Sequence, residues 1–177
     1  LLSGGLLAIE AENQSTITAC ETDNSLIRNV KDCKIYYCHA NDFLIQNIAI
    51  NCNIAFCHTN NPLIKQYADH CNISDCLVTL TSNQLTEEVG GISKILKNKS
   101  IIERCFVICD KSKNPLKSDT SYLSSALRIR MMSEYLSGNF SGIVSTSKNE
   151  SEIRNCAIGK CTTEINWKAR IVAKIES

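Results

Sequence analysis

The six residues Cys52-Asn53-Ile54-Ala55-Phe56-Cys57 carry the pattern that decides the fold: Ser or Cys, any residue, Ile, two residues of any type, and Cys. We call this pattern the motif. The Ile residues of its six copies are separated by 18, 19, 19, 29 and 51 residues. Such repetition predicts a solenoid, in which each repeat buries its apolar side only against neighbouring repeats. The other copies are Ser15-Thr16-Ile17-Thr18-Ala19-Cys20, Cys33-Lys34-Ile35-Tyr36-Tyr37-Cys38, Cys71-Asn72-Ile73-Ser74-Asp75-Cys76, Ser100-Ile101-Ile102-Glu103-Arg104-Cys105 and Ser151-Glu152-Ile153-Arg154-Asn155-Cys156.

Two further features support this phasing of the repeat. A degenerate copy at Ser125-Ala126-Leu127-Arg128-Ile129-Arg130 divides the longest interval into two nearly equal steps, which gives seven coils over most of the chain. An apolar pair also precedes the Ile by nine and ten positions in several copies. The sequence therefore predicts two hydrophobic stations per repeat. The pairs are Leu44-Ile45, Leu63-Ile64 and Ile143-Val144, with Leu6-Leu7 and Leu26-Ile27 at slightly different offsets.

The alternation of apolar and polar residues within the motif indicates β-strands. In Cys33-Lys34-Ile35 the first and third residues are apolar and the second is polar, which is the period of a strand with one buried face. The Ile and the following Cys are three positions apart, so both point inward only if a two-residue corner separates two short strands. Helical repeats need longer units than the 19-residue copies provide. The sequence therefore predicts an all-β fold, a parallel β-helix of about six to seven rungs.

One segment supports two interpretations. Between Ser121 and Gly138, apolar residues recur at four-residue spacing, as in a helix that Gly138 would end. Within it, residues 127–131 alternate like a strand. We favour the strand, and the alternative makes residues 111–138 a non-rung excursion. In both cases residues 1–177 are predicted to be a single β-helix domain. The residues at four-residue spacing are Leu123, Leu127, Met131 and Tyr135.

Composition and charge exclude some function classes. The 177 residues are 44% hydrophobic and 21% charged, which suits one domain with a sizeable core. The net charge of +1 argues against a dedicated nucleic-acid-binding protein, because such proteins need a strongly basic surface. No apolar run approaches the roughly 18 residues of a membrane span, so we expect no membrane contact by this segment.

The start of the chain leads us to expect a piece of a larger protein. The stretch Leu1-Leu2-Ser3-Gly4-Gly5-Leu6-Leu7 lacks the basic region and the length of a signal peptide, and the chain begins without Met. The first repeat also begins almost at once, without a visible cap. We therefore expect any export signal or anchor to lie outside this sequence.

Three stretches resemble the GLUG repeat, which reads approximately Gly-Gly-Leu-Val-Gly, a short polar loop, and then Gly-Thr-Ile-x-Asn-Cys-Tyr. GLUG repeats occur in bacterial surface and secreted proteins, including large adhesins, autotransporter-type passengers and non-catalytic regions of immunoglobulin-A peptidases. The resemblance implies a β-helical stalk of an exported bacterial protein, located extracellularly or on the bacterial cell surface. The stretches are Gly4-Gly5-Leu6-Leu7-Ala8 before the motif at Ser15, Gly90-Gly91-Ile92 before the motif at Ser100, and Ser141-Gly142-Ile143-Val144 before the motif at Ser151.

The 11 cysteines admit three interpretations. In the first, which we favour, they pack as small buried hydrophobes in two internal ladders, and the Ser at the first position of three copies indicates that size matters more than bonding. In the second they form disulfides, although parallel-stacked side chains aim alike and bridge poorly; Cys109 and Cys161, outside the ladders, are best placed for a bridge. The ladders are Cys20, Cys38, Cys57, Cys76, Cys105 and Cys156, and beside them Cys33, Cys52 and Cys71.

Metal binding is the third interpretation of the cysteines. Cys38-His39, Cys57-His58 and His70-Cys71 resemble ligand clusters. Where a Cys points into the coil, however, the adjacent His points outward, so the two cannot bind one ion. His39 and His58 are instead expected to stack outside adjacent rungs. The sequence therefore predicts no metal site and no cofactor.

Few residues suggest catalysis. The chain has no Gly-rich phosphate loop, no Ser-His-Asp set and no paired Cys-x-x-Cys at zinc spacing. Asp32, Asp69, Asp75 and Asp110 could supply the paired carboxylates of a polysaccharide-cleaving β-helix, but only Asp75 lies in a motif copy, at a corner where charge is expected. We therefore predict no catalytic residues and a protein that is not an enzyme.

The sequence as a whole favours a non-enzymatic β-helical stalk or adhesive segment of a bacterial surface or secreted protein, in which variable loops carry any binding. Its partner would be a host-cell surface protein or glycan. One alternative is a carbohydrate-active β-helix that binds or cleaves a polysaccharide, which a row of exposed carboxylates and aromatics along one sheet face would favour. The other is an intracellular interaction solenoid, which would suit unpaired thiols.

Overall fold

The computed structural model describes residues 8–81, 90–110, 140–159 and 169–176. These residues form nineteen β-strands, most of them short because a corner follows each brief apolar segment. In chain order the strands are β1 (Ala8–Ala11), β2 (Thr16–Thr18), β3 (Glu21–Thr22), β4 (Ile27–Lys31), β5 (Lys34–Tyr36), β6 (His39–Ala40), β7 (Ile45–Ile50), β8 (Asn53–Ala55), β9 (His58–Thr59), β10 (Ile64–Asp69), β11 (Asn72–Ser74), β12 (Leu77–Thr81), β13 (Ser93–Lys97), β14 (Ile101–Glu103), β15 (Phe106–Asp110), β16 (Phe140–Lys148), β17 (Glu152–Arg154), β18 (Ala157–Gly159) and β19 (Ala169–Glu176).

The strands form three parallel sheets in which neighbours come from successive repeats. Sheet 1 has the order β1-β4-β7-β10-β13-β16-β19, sheet 2 the order β2-β5-β8-β11-β14-β17, and sheet 3 the order β3-β6-β9-β12-β15-β18. Each rung therefore supplies one strand to each sheet. The described residues form a parallel β-helix with six complete rungs and a seventh strand in sheet 1, which confirms the predicted fold class.

The Ile of the motif forms a continuous ladder along the inner side of sheet 2. The six Ile residues form five successive register pairs, from Ile17 with Ile35 to Ile102 with Ile153. Ile35, Ile54 and Ile102 are fully buried. The second predicted station is confirmed as well, since its described apolar pairs are buried near the start of sheet 1. These pairs are Leu26-Ile27, Leu44-Ile45, Leu63-Ile64 and Ile143-Val144.

The longest motif interval is bridged without an intervening rung. Strand β14 pairs directly with β17, so that Ile102 lies opposite Ile153. The degenerate copy at residues 125–130 and the alternative excursion 111–138 lie outside the described residues, and so does the pair Leu6-Leu7. The seventh strand of sheet 1 is β19, which no motif copy predicted.

The corner inside the motif has one backbone conformation in all six copies. Its fifth residue has a positive φ, between 50° and 55°. This left-handed conformation costs ordinary L-residues roughly 1 to 2 kcal/mol and is tolerated best by Gly, Asn and Asp. It turns the chain between sheets 2 and 3 while Ile and Cys both point inward. We call these residues the motif-corner column: Ala19, Tyr37, Phe56, Asp75, Arg104 and Asn155.

A second corner, directly before the motif, explains the interchange of Ser and Cys at the first position. Copies that begin with Cys have one residue with positive φ before it, and copies that begin with Ser have two. The Ser hydroxyl donates to the carbonyl oxygen three positions earlier, whereas the Cys thiol contacts the carbonyl oxygen two positions earlier. The choice between Ser and Cys at this position therefore depends on the length of the preceding corner and on the carbonyl oxygen that the side chain contacts, as well as on side-chain size. The double positions are Asn13-Gln14, Asn98-Lys99 and Asn149-Glu150.

The buried hydroxyl of Ser100 provides a test of this corner. It donates to the Lys97 carbonyl at 2.6 Å and accepts the Cys71 amide N–H at 3.0 Å. We expect Ser100→Ala to lower the free energy of unfolding by about 2 kcal/mol, because it leaves a buried amide unpaired. Chemical denaturation measures the loss. The control is Ser15→Ala, whose exposed hydroxyl donates only to Glu12; equal losses in the two variants would refute this explanation.

Gly91 serves close packing rather than a special backbone angle. A Cβ built on it would lie 2.5 Å from the Gly142 carbonyl oxygen and 2.6 Å from Cγ1 of Val107. The Gly91 amide N–H donates to the same carbonyl at 3.1 Å. Gly91 therefore allows two backbones to approach where the chain rejoins the coil after a long interval.

The nine described cysteines are free thiols, and seven of them are buried. Burial raises the pKa of the Cys76 thiol well above its usual value, so this thiol stays protonated. These observations agree with cysteines that act as small buried hydrophobes. The Cys109 side chain and all of Cys161 lie outside the described part of the chain. The buried set is Cys33, Cys38, Cys52, Cys57, Cys71, Cys76 and Cys105.

Candidate binding surface

The outer face of sheet 2 contains a shallow depression of about 360 Å³. It exists because small residues, Ala55 and Ser74, occupy the middle of an outward-facing row between larger ones. Tyr36 closes the depression at one end, and Glu103 and Arg154 close it at the other. Ala55 points outward yet is only 7% exposed, because its neighbours overhang it. The row continues through register partners at the fourth motif position: Thr18, Tyr36, Ala55, Ser74, Glu103 and Arg154.

Two asparagines beside this row keep their hydrogen-bonding capacity free. Asn53 and Asn72 are exposed register partners in adjacent strands and line the depression. Among the described residues neither side-chain amide has a hydrogen-bond partner. Four asparagines at or near the corners behave differently, since each donates to an Asp or Asn of the preceding rung. These corner pairs are Asn51 to Asp32, Asn60 to Asn41, Asn61 to Asp42, and Asn149 to Asn98.

The charges around the depression are paired with one another. Nε and Nη2 of Arg104 donate to the two carboxylate oxygens of Asp75 at 2.8 Å each, and Nη1 lies 2.7 Å from Glu103. Arg154 pairs with Glu152. The Arg104 hydrogen bonds hold the pKa of Asp75 below its usual value. Asp75 is therefore placed to form an ion pair, whereas a general acid needs a raised pKa.

An exposed aromatic pair lies at the corner that borders this face. Tyr37 is 64% and Phe56 is 51% exposed, although both adopt the left-handed conformation that favours Asn or Gly. Their rings stack with centroids 5.0 Å apart and planes at 7°. Sequence reasoning missed these residues. The available signal was the aromatic residue at the fifth motif position of two successive copies.

Among the carboxylates considered from the sequence, the three whose side chains are described, Asp32, Asp69 and Asp75, are not assembled into one site. Asp32 lies at the corner before the motif, Asp75 at the corner within it, and the Asp110 side chain is outside the described residues. Burial opposes ionisation of Asp69, but hydrogen bonds from Asn98, His70 and Lys97 hold its pKa below the usual value. Each described carboxylate is thus part of a local polar network.

His39 and His58 stack outside adjacent rungs of sheet 3, as the sequence predicts. Their ring centroids are 4.8 Å apart and the planes differ by 2°. Nδ1 of His39 lies 3.6 Å from the Glu21 carboxylate, and Nε2 of His58 lies 3.3 Å from the Thr79 hydroxyl. Within the described ranges no three His, Cys, Asp or Glu side chains converge as a metal site would require.

The histidine stack predicts a pH-dependent stability. Burial, and secondarily the charge of His39, lowers the pKa of His58 from 6.5 to about 4. Between these values the unfolded chain binds more protons, so stability falls as the pH falls through this window, by up to roughly 3 kcal/mol. Denaturation at a series of pH values should show this slope, and His58→Gln should remove it. The exposed His70→Gln variant is the control; an equal change of slope in both variants would exclude the stack as the cause.

No family model matches the chain, and no curated protein and no solved structure matches it significantly. The likeness to GLUG repeats therefore stays a prediction from the sequence. In the described part of the chain no helix is long and apolar enough to cross a membrane.

Proposed function

We propose that this chain is a non-enzymatic stalk and attachment segment of a bacterial surface or secreted protein, and that it works outside the cell. The observation that carries the proposal is the unbroken stacking order of the rungs, which is kept in all three sheets. All six motif copies pair in sequence, and sheets 1 and 3 pair in the same order. A stack of this kind holds attachment surfaces at a fixed distance from an anchor.

The rod combines a constant core with variable connections. The connection from Thr81 to Ser93 is much shorter than the one from Asp110 to Phe140, yet the flanking rungs stack directly in both places. The Ile and Cys ladders run past both connections, buried at Ile102 and Cys105 and partly buried at Ile153 and Cys156. Stacking of seven strands about 4.8 Å apart gives sheet 1 a length of about 29 Å. This arrangement supports a spacer whose surface can change while its length and stiffness are kept.

The GLUG-like stretches supply the bacterial and exported part of the proposal. In one of these stretches Gly91 lets its backbone approach the carbonyl oxygen of Gly142, which belongs to another. A stalk with a surface depression and exposed aromatics would attach to a host-cell surface protein or glycan. The paired charges around Asp75 favour attachment over cleavage at this face.

Display on a non-adherent bacterium tests the proposal. The chain would be fused to an export signal and an outer anchor, and adherence to cultured epithelial cells would be counted. We expect a several-fold rise that requires the folded rod, so the core variant Ile54→Asp serves as the unfolded control. A chain that raises adherence to no tested surface would contradict the proposed function, as would a purified chain that releases reducing ends from polysaccharides.

A further inference from the structure

We propose that the outer face of sheet 2 is a binding site for a neutral, linear polysaccharide that lies along the rod axis. Sugar units would occupy the depression between Tyr36 and Arg154, and the Tyr37–Phe56 pair would form its aromatic border. This inference rests on the proposed attachment function and names the ligand class of one face.

Unused hydrogen-bonding groups are the first support. Asn is depleted in strands, yet two successive rungs place Asn53 and Asn72 at the same outward position. Each side-chain amide offers hydrogen-bond donors and an acceptor, and a sugar hydroxyl can likewise both donate and accept. Several corner asparagines pair along the rod, for example Asn60 with Asn41 at 2.9 Å and Asn51 with Asp32, whereas these two do not. The free amides are therefore available to a ligand rather than needed by the fold.

Exposed aromatics are the second support. Tyr37 and Phe56 each occupy a backbone conformation that disfavours large side chains, and both leave half or more of the side chain in water. Stacking of the two rings offsets only part of this strain. Asn155 fills the same position in the last rung at lower expected strain. The apolar rings suit the C–H surface of a pyranose, which is flanked by hydroxyl groups.

Charge and shape select a neutral, linear ligand. The cations Arg104 and Arg154 are each engaged by carboxylates, and three acidic groups surround them: Asp75, Glu103 and Glu152. The carboxylates therefore neutralise both arginines, and no excess positive charge remains to attract an anionic glycan. The lining residues come from five successive strands of sheet 2, which span about 19 Å at the usual strand spacing. A chain of sugars fits such a narrow strip, in which each rung is about as thick as one pyranose is long.

Binding of the purified, full chain to immobilised oligosaccharides tests the inference. The probes are linear neutral oligomers of glucose, xylose and mannose, with a heparin fragment as the anionic comparison. We expect binding to at least one neutral oligomer. The double variants Asn53→Ser/Asn72→Ser and Tyr37→Asn/Phe56→Asn should each weaken it by roughly tenfold or more, the loss expected from about two hydrogen bonds or contacts.

The controls separate binding from folding. Asn is well tolerated at positive φ, so the Tyr37→Asn/Phe56→Asn variant should keep or raise the thermal midpoint. Gln66→Ala changes an exposed residue of sheet 1 and should leave binding unchanged. No binding to any neutral probe, binding to heparin alone, or equal binding by all variants would overturn the inference.

A cell experiment separates this inference from the proposed function. Displayed chain would be tested on epithelial cells after periodate oxidation of glycans or after protease treatment. Adherence that is lost on periodate and competed by added neutral oligomer supports the glycan site. Adherence that survives periodate and is lost on proteolysis overturns the glycan site and points to a protein receptor, while the attachment function stands.

Discussion

Ile54→Asp is expected to unfold the protein, whereas Asn53→Asp, one position earlier, should leave it folded. Ile54 is fully buried in the middle of the Ile ladder, and Asn53 is exposed on the outer face of the same strand. A carboxyl group in an apolar core loses its hydration and must stay neutral, which costs roughly 5 kcal/mol at neutral pH. Lost apolar burial adds to this cost. The sum is comparable to the whole stability of a typical domain.

Far-ultraviolet circular dichroism and chemical denaturation measure the difference between the two variants. We expect loss of the β spectrum for Ile54→Asp and a change within about 0.5 kcal/mol for Asn53→Asp. Ile54→Val, which removes one methyl group, should cost about 1 kcal/mol and remain folded. Similar destabilisation by Asp at both positions would mean that the strand does not have one inward and one outward face, which the parallel β-helix requires.

The inward side of the fold could be predicted from the sequence because it is a repeated, local pattern. Parity within Cys33-Lys34-Ile35 assigns the buried face, and the three-residue step from Ile35 to Cys38 requires a corner. The structure confirms both, with Ile35 and Cys38 buried and Tyr37 turning the chain. Equal spacing then aligns successive copies. Any sequence that repeats these inward-facing positions at equal spacing is therefore expected to stack its rungs in the same register.

The conformation of the motif-corner column could not be predicted from residue type, because most of its residues are not Gly, Asn or Asp. Tyr37, Phe56 and Arg104 are poor candidates for positive φ, yet they adopt it alongside Asn155. The stacked rungs on both sides determine the turn and override local preference. The Ser and Cys interchange was likewise ambiguous, since only the structure shows that Ser15 follows two residues with positive φ.

Strand pairing across long intervals of the chain was the second feature that the sequence could not predict. The long interval between Ile102 and Ile153 was divided by a weak copy, but the two residues pair directly. Spacing alone does not state whether a long interval contains a rung or a connection. Strand β19 carries no motif copy, so only its pairing with β16 identifies it.

The candidate site depends on which polar groups the fold leaves without partners. Asn51 and Asn53 are two positions apart and look equivalent in the sequence. Asn51 donates to Asp32 at 2.5 Å, whereas Asn53 lines the depression without a partner among the described residues. The sequence assigned any binding to variable loops. In the structure the candidate binding groups instead lie on the outer face of sheet 2, where the spacing of the rungs fixes the distances between them.

Deletion of one complete rung is expected to shorten the rod without unfolding it. Removing residues 52–70, one full repeat, joins Asn51 to Cys71. The new junction reproduces the original one, because a Cys-Asn-Ile sequence again follows Asn51. Strands β8, β9 and β10 are lost, and β5, β6 and β7 come to face β11, β12 and β13. Since β10 already pairs with both β7 and β13, the new neighbours match in register.

Deletion of half a rung is the matched comparison and should abolish cooperative folding. Removing residues 52–61 takes out only the first half of the repeat and joins Asn51 to Pro62. Strands β8 and β9 are lost, so the long strand β10 follows a corner that should lead into sheet 2. Its buried residues Leu63 and Ile64 then lack the partners they have at the second station, near the start of sheet 1. A proline at the strand entrance also removes an amide donor.

Denaturation midpoints and small-angle scattering distinguish the outcomes. In a solenoid, stability is approximately a sum of repeats and their interfaces, so the full-rung deletion should remain cooperative with a modestly lower free energy of unfolding. Its longest dimension should decrease by about 5 Å, the spacing of one strand. The half-rung deletion should show no cooperative transition, although it removes fewer residues. If the full-rung deletion unfolded as readily, the rungs would not be interchangeable units, and the rigid-spacer function proposed for them would lose its physical basis.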